Sequence, residues 1–207
     1  MIDSKENASE PGQVQERGRR RRKAILDAAL RQFASSGYRG TTVAAVAAAA
    51  GITDAGLLYH FPTKEDLLVA VLAHHDQIEA DRFRELPDLS DLAAIRRLGS
   101  WGEMMEQEPT FMALHVVLSA EHLRDDSSTN TYFRQRYEWL LAMISSLFEN
   151  ACQAGEIRSD VDPLREASSF IAYVDGLRLQ WFFTDNCISI SSAVQGYMGA
   201  LLDRLQS

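Results

Sequence analysis

The chain has 207 residues, of which 46% are hydrophobic and 24% are charged, and its formal net charge at pH 7 is −8. This composition is ample for a buried core and ordinary for a soluble protein. No run of about 18 apolar residues is present, and the polar, basic N-terminal stretch lacks the apolar segment of a signal peptide. Cys152 and Cys187 have no metal-ligand spacing and are typical of a reducing compartment. We therefore expect a cytoplasmic protein that neither crosses a membrane nor is secreted.

The charge is unevenly distributed along the chain. Residues 1–64 carry ten Lys and Arg side chains against six Asp and Glu. Their net charge is therefore +4, which leaves −12 for the remainder. A basic head on an acidic body is typical of a DNA-binding domain followed by a domain with a different role.

The first predicted helix follows a polar tail. Residues 1–15 have no apolar pattern and are predicted to be disordered. The basic run Arg19–Lys23 then leads into a helix with a buried stripe formed by Ile25, Ala29, Leu30 and Phe33. The pair Gly37-Tyr38 is expected to end this helix.

The segment Thr41–Lys64 has the pattern of two short helices joined by a tight turn, followed by the start of a third. Thr42 can cap the first helix, and Gly51 is the residue best able to end it. Thr53 or Asp54 caps the second helix, which at about six residues is too short to be stable alone. Its neighbour must therefore hold it, as in a helix-turn-helix, whose second helix lies in the major groove of DNA. The alternative is an alanine-rich helical hairpin that only packs.

The residues around the second helix favour DNA binding. Thr63 and Asp66 have the spacing of a capping box for the third helix. Lys64 stands in the first turn of that helix, where the helix dipole favours an anion and disfavours a cation. A bound phosphate accounts for both the cap and the lysine. The expected phosphate contacts are Thr42, Tyr59, His60 and Lys64, and the residues expected to approach base edges are Thr53, Asp54, Ala55 and Gly56. We expect Arg21, from the basic run, to contact phosphate or the minor groove. The alternative is that the basic run is only the solvent-exposed start of a helix.

These residues closely resemble the N-terminal domain of TetR/AcrR-type transcriptional regulators. The resemblance spans roughly residues 20–72 and is carried by Thr41-Thr42-Val43, Ala50-Gly51-Ile52-Thr53, Leu57–Phe61 and Lys64. Two positions depart from the common pattern: Asp54 replaces a basic or neutral polar residue, and Leu58 replaces a tyrosine. The Asp54 carboxylate would accept a hydrogen bond from a cytosine N4 amino group, or would only cap the helix. The departures bear on the operator sequence and not on the binding mode.

Helical periodicity continues from Thr63 to the end of the chain, and no segment alternates like a strand for long. The helix that begins after Thr63 is predicted to run to about Leu86 and to link the DNA-binding domain to the body. Asp162 followed by Pro163 is a helix start signal. The further predicted helices are Ser90–Gln107, Pro109–Arg124, Thr131–Ala154, Pro163–Asp185 and Ser189–Gln206.

The body is rich in methionine and aromatic side chains, which form either plain core or the wall of a cavity. The family resemblance implies an inducer held among the middle helices, against a few polar groups. The expected lining residues are Trp101, Met105, Phe111, His115, Trp139, Met143 and Tyr173. His115, Ser119 and His122 share a helix face, but they have no clear carboxylate or thiolate partner, so we predict no metal site and no cofactor.

The last two predicted helices are very apolar, which indicates either burial within one subunit or a dimer interface. The stretch Val174–Asp185 resembles the family's penultimate helix, which with the last helix builds a two-fold four-helix interface. The expected interface residues are Val174, Leu177, Trp181, Val194, Tyr197, Met198 and Leu201. A two-fold dimer also fits DNA geometry, because two recognition helices read half-sites about 34–36 Å apart.

The sequence thus predicts an all-α protein of about nine helices. A disordered tail (1–15) precedes a three-helix helix-turn-helix domain (16–64), and a larger ligand-sensing and dimerisation domain (65–207) follows. The predicted function is a homodimeric transcriptional regulator, a repressor that binds a palindromic double-stranded DNA operator and is released by a small hydrophobic inducer. The alternatives are a ligand-blind DNA-binding dimer and an all-helical enzyme that uses His115 with Glu121 or His122. No nucleophile–base pair supports the enzyme, so no catalytic residue is predicted.

Overall fold

The computed structural model describes residues 11–84, 91–124, 126–185 and 187–206. Within these ranges the chain is all-helical, which confirms the predicted fold class. The α-helices are α1 Pro11–Gly40, α2 Val43–Ala49, α3 Asp54–His60, α4 Lys64–Arg84, α5 Asp91–Arg97, α6 Trp101–Gln107, α7 Pro109–Glu121, α8 Ser128–Gln153, α9 Pro163–Phe183 and α10 Ile190–Gln206. A 3-10 turn, Leu98–Ser100, joins α5 to α6 without a gap, so that the described chain has nine helical segments.

The predicted tail and the predicted end of α4 lie partly outside the described residues. Helix α1 begins at Pro11, so residues 11–15 are helical, whereas we expected them to be disordered. Residues 1–10 and Leu86 lie outside the described ranges.

The chain divides into two compact units inside α4, the first ending at His74 and the second beginning at His75. The first ten or so residues of α4 therefore belong to the N-terminal unit, whereas the sequence prediction ended the DNA-binding domain at residue 64.

The core of the N-terminal unit is small and contains side chains from α1 to α4. Its buried hydrophobic residues are Ile25, Leu26, Ala28, Ala29, Phe33, Val46, Ala47, Leu57, Phe61, Leu67, Leu68, Val71 and Leu72. Near its C-terminal end α1 is kinked at Gly37, whose backbone has φ +69°. The buried Thr41 hydroxyl shares its one O–H between the carbonyl oxygens of Gln32 and Gly37, and so ties the turn before α2 to the end of α1.

The ends of α2 follow the sequence prediction. The Thr42 hydroxyl oxygen accepts a hydrogen bond from the Ala45 amide at 3.1 Å, which satisfies one of the free N–H groups of the first turn. Gly51 has φ +69° just after the last turn, the left-handed conformation that glycine adopts at least cost. The Ile52 amide then donates to the Ala47 carbonyl at 3.0 Å, which closes the helix end.

The axes of α2 and α3 cross at 97°, within the range of a helix-turn-helix. Helix α3 has only seven residues, and it is held by burying Leu57 completely and by the buried Val46 and Ala47 of α2. The capping box predicted for α4 is present as well: Thr63 and Asp66 exchange side chain-to-backbone hydrogen bonds at 3.0 Å in both directions.

No single helix in the described ranges is long and apolar enough to cross a membrane. Helices α2 and α3 satisfy the length and composition criteria only as a pair, and this pair is the bent helix-turn-helix.

The C-terminal unit is a helical bundle around one large core. Helix α8 packs along α9 and α5, and α10 packs on α6 and the preceding 3-10 turn. Asp162 caps α9, with Pro163 at its first position, as predicted. Fully buried core residues from these helices include Ile95, Leu98, Ile144, Phe148, Ala151, Ala167, Phe170, Ile190 and Val194.

Gly102 marks the closest approach between α6 and α10. A Cβ atom at this position would lie 2.7 Å from the Ile190 carbonyl oxygen and 2.7 Å from the Ser191 Cα. Because both of these atoms belong to the backbone, rotation of a side chain could not relieve the clash.

We therefore expect Gly102→Ala to lower the free energy of unfolding by about 1–3 kcal/mol, the usual cost of overpacking a core. Gly99→Ala is the matched control, because its Cβ would meet its nearest neighbours at an ordinary 3.7 Å. Urea unfolding of both variants checks the prediction, and equal stabilities would contradict it.

Candidate DNA-binding surface and ligand cavity

The leading end of α3 is exposed. Thr53, Asp54 and Ala55 face solvent, while Leu57 behind them is fully buried. The Thr53 hydroxyl oxygen accepts from the Gly56 amide at 3.1 Å, so Thr53 is the cap and the Asp54 carboxylate is not used for that purpose. A Cβ at Gly56 would lie 3.2 Å from that hydroxyl oxygen, so the glycine keeps this cap uncrowded.

The other end of α3 presents aromatic and polar groups. The Tyr59 side chain is 86% exposed, and its ring meets the His60 ring edge-on at 5.5 Å. Leu58, which replaces the usual tyrosine, is 40% exposed. Behind this end the Arg22 guanidinium lies 4.7 Å above the buried Phe61 ring, a cation–π contact between α1 and the residue after α3.

The basic run on α1 is exposed, but its charges are not equivalent. Arg19 and Arg20 both pair with Glu16, at 3.1 and 3.0 Å, and Lys23 pairs with Asp27 at 2.8 Å. Arg21 is exposed and has no acidic partner among the described residues. Its full charge is therefore available to a polyanion.

Lys64 has a structural role that the sequence prediction missed. Its Nζ donates to the Tyr38 carbonyl oxygen at 2.9 Å and to the Thr41 carbonyl oxygen at 3.0 Å, and it lies 4.3 Å from the centre of the Tyr38 ring. These two carbonyls close the segment between α1 and α2. Backbone oxygens already accept from two of its three N–H groups, so a lysine at this helix end does not require a phosphate.

In the C-terminal unit, a buried cation from α8 is neutralised by the last part of α4. The Arg136 side chain is 8% exposed, and its Nε donates to an Asp76 carboxylate oxygen at 2.8 Å. The Tyr132 hydroxyl donates to the other oxygen of the same carboxylate. Asp76 therefore ties α4 to two successive turns of α8.

A second polar group joins α8 to α9. The Tyr137 hydroxyl donates to an Asp175 oxygen at 2.7 Å, and Arg178 pairs with the other oxygen at 3.3 Å. Burial and the neighbouring Asp175 carboxylate raise the pKa of Tyr137 to about 12, so this phenol remains a hydrogen-bond donor at neutral pH.

His115 lies beside this second group, on α7. It is 3% exposed, its Nδ1 is 3.5 Å from an Arg178 guanidinium nitrogen, and its ring packs edge-on against Phe133 at 5.1 Å. Burial, reinforced by the Arg178 and Arg136 charges, holds the pKa of His115 well below its ordinary value. The imidazole is therefore neutral.

A small cavity of about 10 Å³ opens next to His115. Its lining residues are Met104, Met105, Glu108, Phe111, Met112, His115 and Arg178. Three residues of the predicted ligand site, Met105, Phe111 and His115, meet here. Methionine side chains are unbranched and repack easily, so this cavity is able to enlarge.

The remaining predicted ligand residues do not line this cavity. Trp101 packs on Phe170 with ring centres 5.6 Å apart, and Trp139 is 54% exposed. Tyr173 stacks on Tyr197 of α10 at 4.3 Å. Met143 packs at the margin of the main core.

An open cleft of about 840 Å³ lies between the end of α7 and the start of α8. Its walls include Ser119, His122, Leu123, Arg124, Asn130, Phe133, Arg134, Tyr137 and Glu138. Phe133 faces this cleft and also contacts His115, so the cleft and the cavity meet at one aromatic contact.

Helix α4 contacts the cavity wall through His75. The His75 ring stacks on the Phe111 ring with centres 4.1 Å apart and planes 11° apart. Phe111 also lines the cavity, so this one ring contacts both α4 and the cavity.

Five of the seven predicted dimer residues are core residues of a single chain. They are Val174, Leu177, Val194, Met198 and Leu201, all at most 5% exposed. The apolar stripes of α9 and α10 face α8, α5 and α6 rather than solvent, so these five side chains are already covered within one chain. Only Trp181 and Tyr197 are partly exposed.

A different face of α9 is exposed and apolar. Leu179 is 47% and Phe183 is 81% exposed, and Ala172 lies on the same face of the helix. On α10 the exposed face carries Gly196 and Gly199, where an added Cβ would meet nothing within 4 Å.

The polar residues of the body were missing from the sequence prediction. Arg136 and Arg178 stand within buried stripes of α8 and α9 that are otherwise hydrophobic, and this interruption was the signal that could have identified them. Their partners Asp76 and Asp175 have no comparable signal. Within the described residues, no three His, Cys, Asp or Glu side chains are grouped as metal ligands.

We expect Asp76→Ala to lower the free energy of unfolding by about 3 kcal/mol, because a buried guanidinium then loses its counter-charge. The double variant Asp76→Ala/Arg136→Met should recover most of this loss, since the cation is removed as well. Denaturant unfolding of wild type and both variants checks this. A double variant no more stable than the single one would show that the ion pair is not the source of the effect.

Comparisons with known proteins agree with this geometry. The family model described as "Bacterial regulatory proteins, tetR family" matches residues 25–71, and that described as "BetI-type transcriptional repressor, C-terminal" matches residues 105–205. The HTH-type transcriptional repressor KstR2 of Rhodococcus jostii is 26% identical over 195 residues, which cover 90% of this chain and 92% of that protein. A crystal structure of a TetR-family regulator from Rhodococcus sp. has a TM-score of 0.73 at 26% identity, covering 90% of this chain and 98% of that one.

The regulator FadR of Bacillus subtilis, solved in complex with stearoyl-CoA, has a TM-score of 0.76 at 17% identity, with 87% of this chain and 97% of that one covered. Together, the two matching family models cover both units of the chain, and the helix-turn-helix lies within the first match. The chain belongs to the TetR family of DNA-binding transcriptional regulators.

Proposed function

We propose that this regulator is a cytoplasmic, homodimeric repressor that binds a palindromic operator and is released by a small hydrophobic inducer. Residues 16–64 bind DNA, and residues 65–207 sense the inducer and dimerise. The observation that carries the proposal is the course of α4, which begins in the helix-turn-helix unit and, through His75, contacts Phe111 of the cavity wall.

The proposed DNA contacts fall into two groups. Thr53, Asp54, Ala55 and Gly56 approach base edges at the exposed leading end of α3, while Arg21, Thr42, Tyr59, His60 and Lys64 contact phosphates. The exposed Asp54 carboxylate accepts from a cytosine N4 amino group, because Thr53 rather than Asp54 caps the helix. Lys64 has one N–H group left for a phosphate, so its contribution is smaller than that of Arg21.

In the proposed mechanism the inducer enlarges the cavity and displaces Phe111. His75 stacks on that ring, and Asp76 holds the next position of α4 to α8. Movement of α4 then changes the spacing of the two recognition helices, so that they no longer match successive major grooves. The inducer shifts this equilibrium only by its differential affinity for the two states.

The open cleft is the proposed route of the inducer to the cavity, since Phe133 lines the cleft and its ring contacts His115 of the cavity wall. The stearoyl-CoA complex of FadR supports a ligand with a long apolar part for a protein of this fold. The methionine-lined cavity with its buried polar group favours a ligand-responsive regulator over a ligand-blind dimer. The enzyme alternative has no support either, since His115 contacts Arg178 while His122 contacts Ser127.

The second copy is proposed to pack against the exposed faces of α9 and α10. Leu179 and Phe183 provide apolar area, and Gly196 and Gly199 allow a neighbouring helix to approach closely. A palindromic operator requires this two-fold arrangement, because one α3 of seven residues reads too few bases.

Arg21→Ala should reduce the slope of log K against log salt by about two for the dimer, one phosphate contact per subunit. Arg20→Ala is the matched control and should change the slope less, because Glu16 already neutralises that charge in part. Binding to operator and to random DNA at several salt concentrations checks this. An unchanged slope for Arg21→Ala would remove Arg21 from the phosphate contacts.

Leu179→Glu should convert the dimer to a monomer, because two carboxylates would be buried across the two-fold axis. The matched control is Val117→Glu on α7, which replaces a side chain of similar exposure, 43% against 47%. Light scattering after size-exclusion chromatography gives the mass. A Leu179→Glu protein that remains dimeric would show that this face is not the interface.

A further inference from the structure

The position of Arg178 favours one tautomer of His115. Its Nδ1 faces a guanidinium nitrogen of Arg178 at 3.5 Å, and a guanidinium is only a donor. Nδ1 must therefore accept, and in a neutral imidazole the single proton is then on Nε2. The lowered pKa of His115 agrees with a ring that carries one proton at neutral pH.

This Nε2–H group is buried and has no hydrogen-bond partner among the described residues. Leaving a buried donor unsatisfied costs about 1–3 kcal/mol. The adjacent space of about 10 Å³ is at the lower limit for a single water molecule, so water is a poor partner here. The protein without ligand therefore has an unsatisfied N–H donor on His115, a residue that lines the cavity.

The rest of the wall determines the other part of the ligand. Met104, Met105, Phe111 and Met112 are apolar, and the methionines can move apart without breaking hydrogen bonds. The wall has two charged residues: Arg178, which is already paired with Asp175, and Glu108, whose side chain is exposed. A molecule that fits here has an apolar body and a single strong acceptor.

We propose that the cavity binds an apolar molecule through a carbonyl or carboxylate oxygen that accepts a hydrogen bond from His115 Nε2. This inference rests on the proposed function, because it specifies the chemistry of the inducer. His115 is then the residue that selects for an acceptor group, and the methionines set the size of the apolar part.

Three probes of equal chain length test the proposal by calorimetry: octanoate, methyl octanoate and octylammonium. We expect one or both of the first two to bind, and octylammonium, which has no acceptor, to bind at least tenfold more weakly. The acid and the ester separate a carboxylate ligand from a neutral carbonyl ligand, and either result supports the shared chemistry. Equal binding of all three probes, or of none, would overturn it.

Variants assign the effect to His115. His115→Phe should weaken binding of the better probe about tenfold, as expected for a lost hydrogen bond. His115→Gln, which keeps an N–H donor, should restore part of that loss, and Val117→Ala, on the exposed face of α7, should bind as the wild type does. Equal affinities in wild type and His115→Phe would contradict the assignment.

Histidine ¹⁵N NMR of the wild-type protein tests the proposal without any substitution. The His115 proton should reside on Nε2 in the free protein and move downfield when the probe binds, while a proton on Nδ1 would overturn the proposal. Operator binding by the free protein tests the proposed function separately. An intact operator complex with no probe binding would refute only the present inference, whereas probe binding without release of operator would refute only the inducible repressor.

Discussion

The body of this protein buries the cation of Arg136 and must therefore supply it with a partner. A guanidinium that is 8% exposed needs a counter-charge, and Asp76 provides one from α4 at 2.8 Å. This requirement fixes the second half of α4 against α8. His75, the residue before Asp76, stacks on Phe111, so α4 also contacts the cavity wall.

In the DNA-binding unit, too, polar groups are positioned by the partners that they need. Its recognition helix has seven residues and exists only because Leu57 is buried, Thr53 caps it and Gly51 allows the turn before it. Lys64 closes the segment before α2 by donating to two carbonyl oxygens. The polar groups at the leading end of α3 are consequently left for a partner outside the chain.

Much of the fold could be predicted because its signals are local. Thr42, Gly51 and Asp162 act within a few residues of themselves, so their roles follow from the sequence. Partners that are distant in the chain leave no such trace: Asp76 lies 60 residues from Arg136. Periodicity also does not reveal what covers an apolar stripe: the pattern of Val174 and Met198 is compatible with an interface or a core, and the structure buries both within the single chain. Three of the seven expected ligand residues meet at the cavity because they share the interior faces of α6 and α7.

The central claim is that α4 transmits occupancy of the cavity to the spacing of the recognition helices. The most direct test is the distance between spin labels on the two copies of an exposed α2 residue, Ala49→Cys, in a dimer whose native cysteines are replaced by serine. The account predicts one narrow distance distribution in the free protein and a shifted one when a cavity ligand that releases operator is bound. A ligand that releases operator while this distance stays unchanged would contradict it.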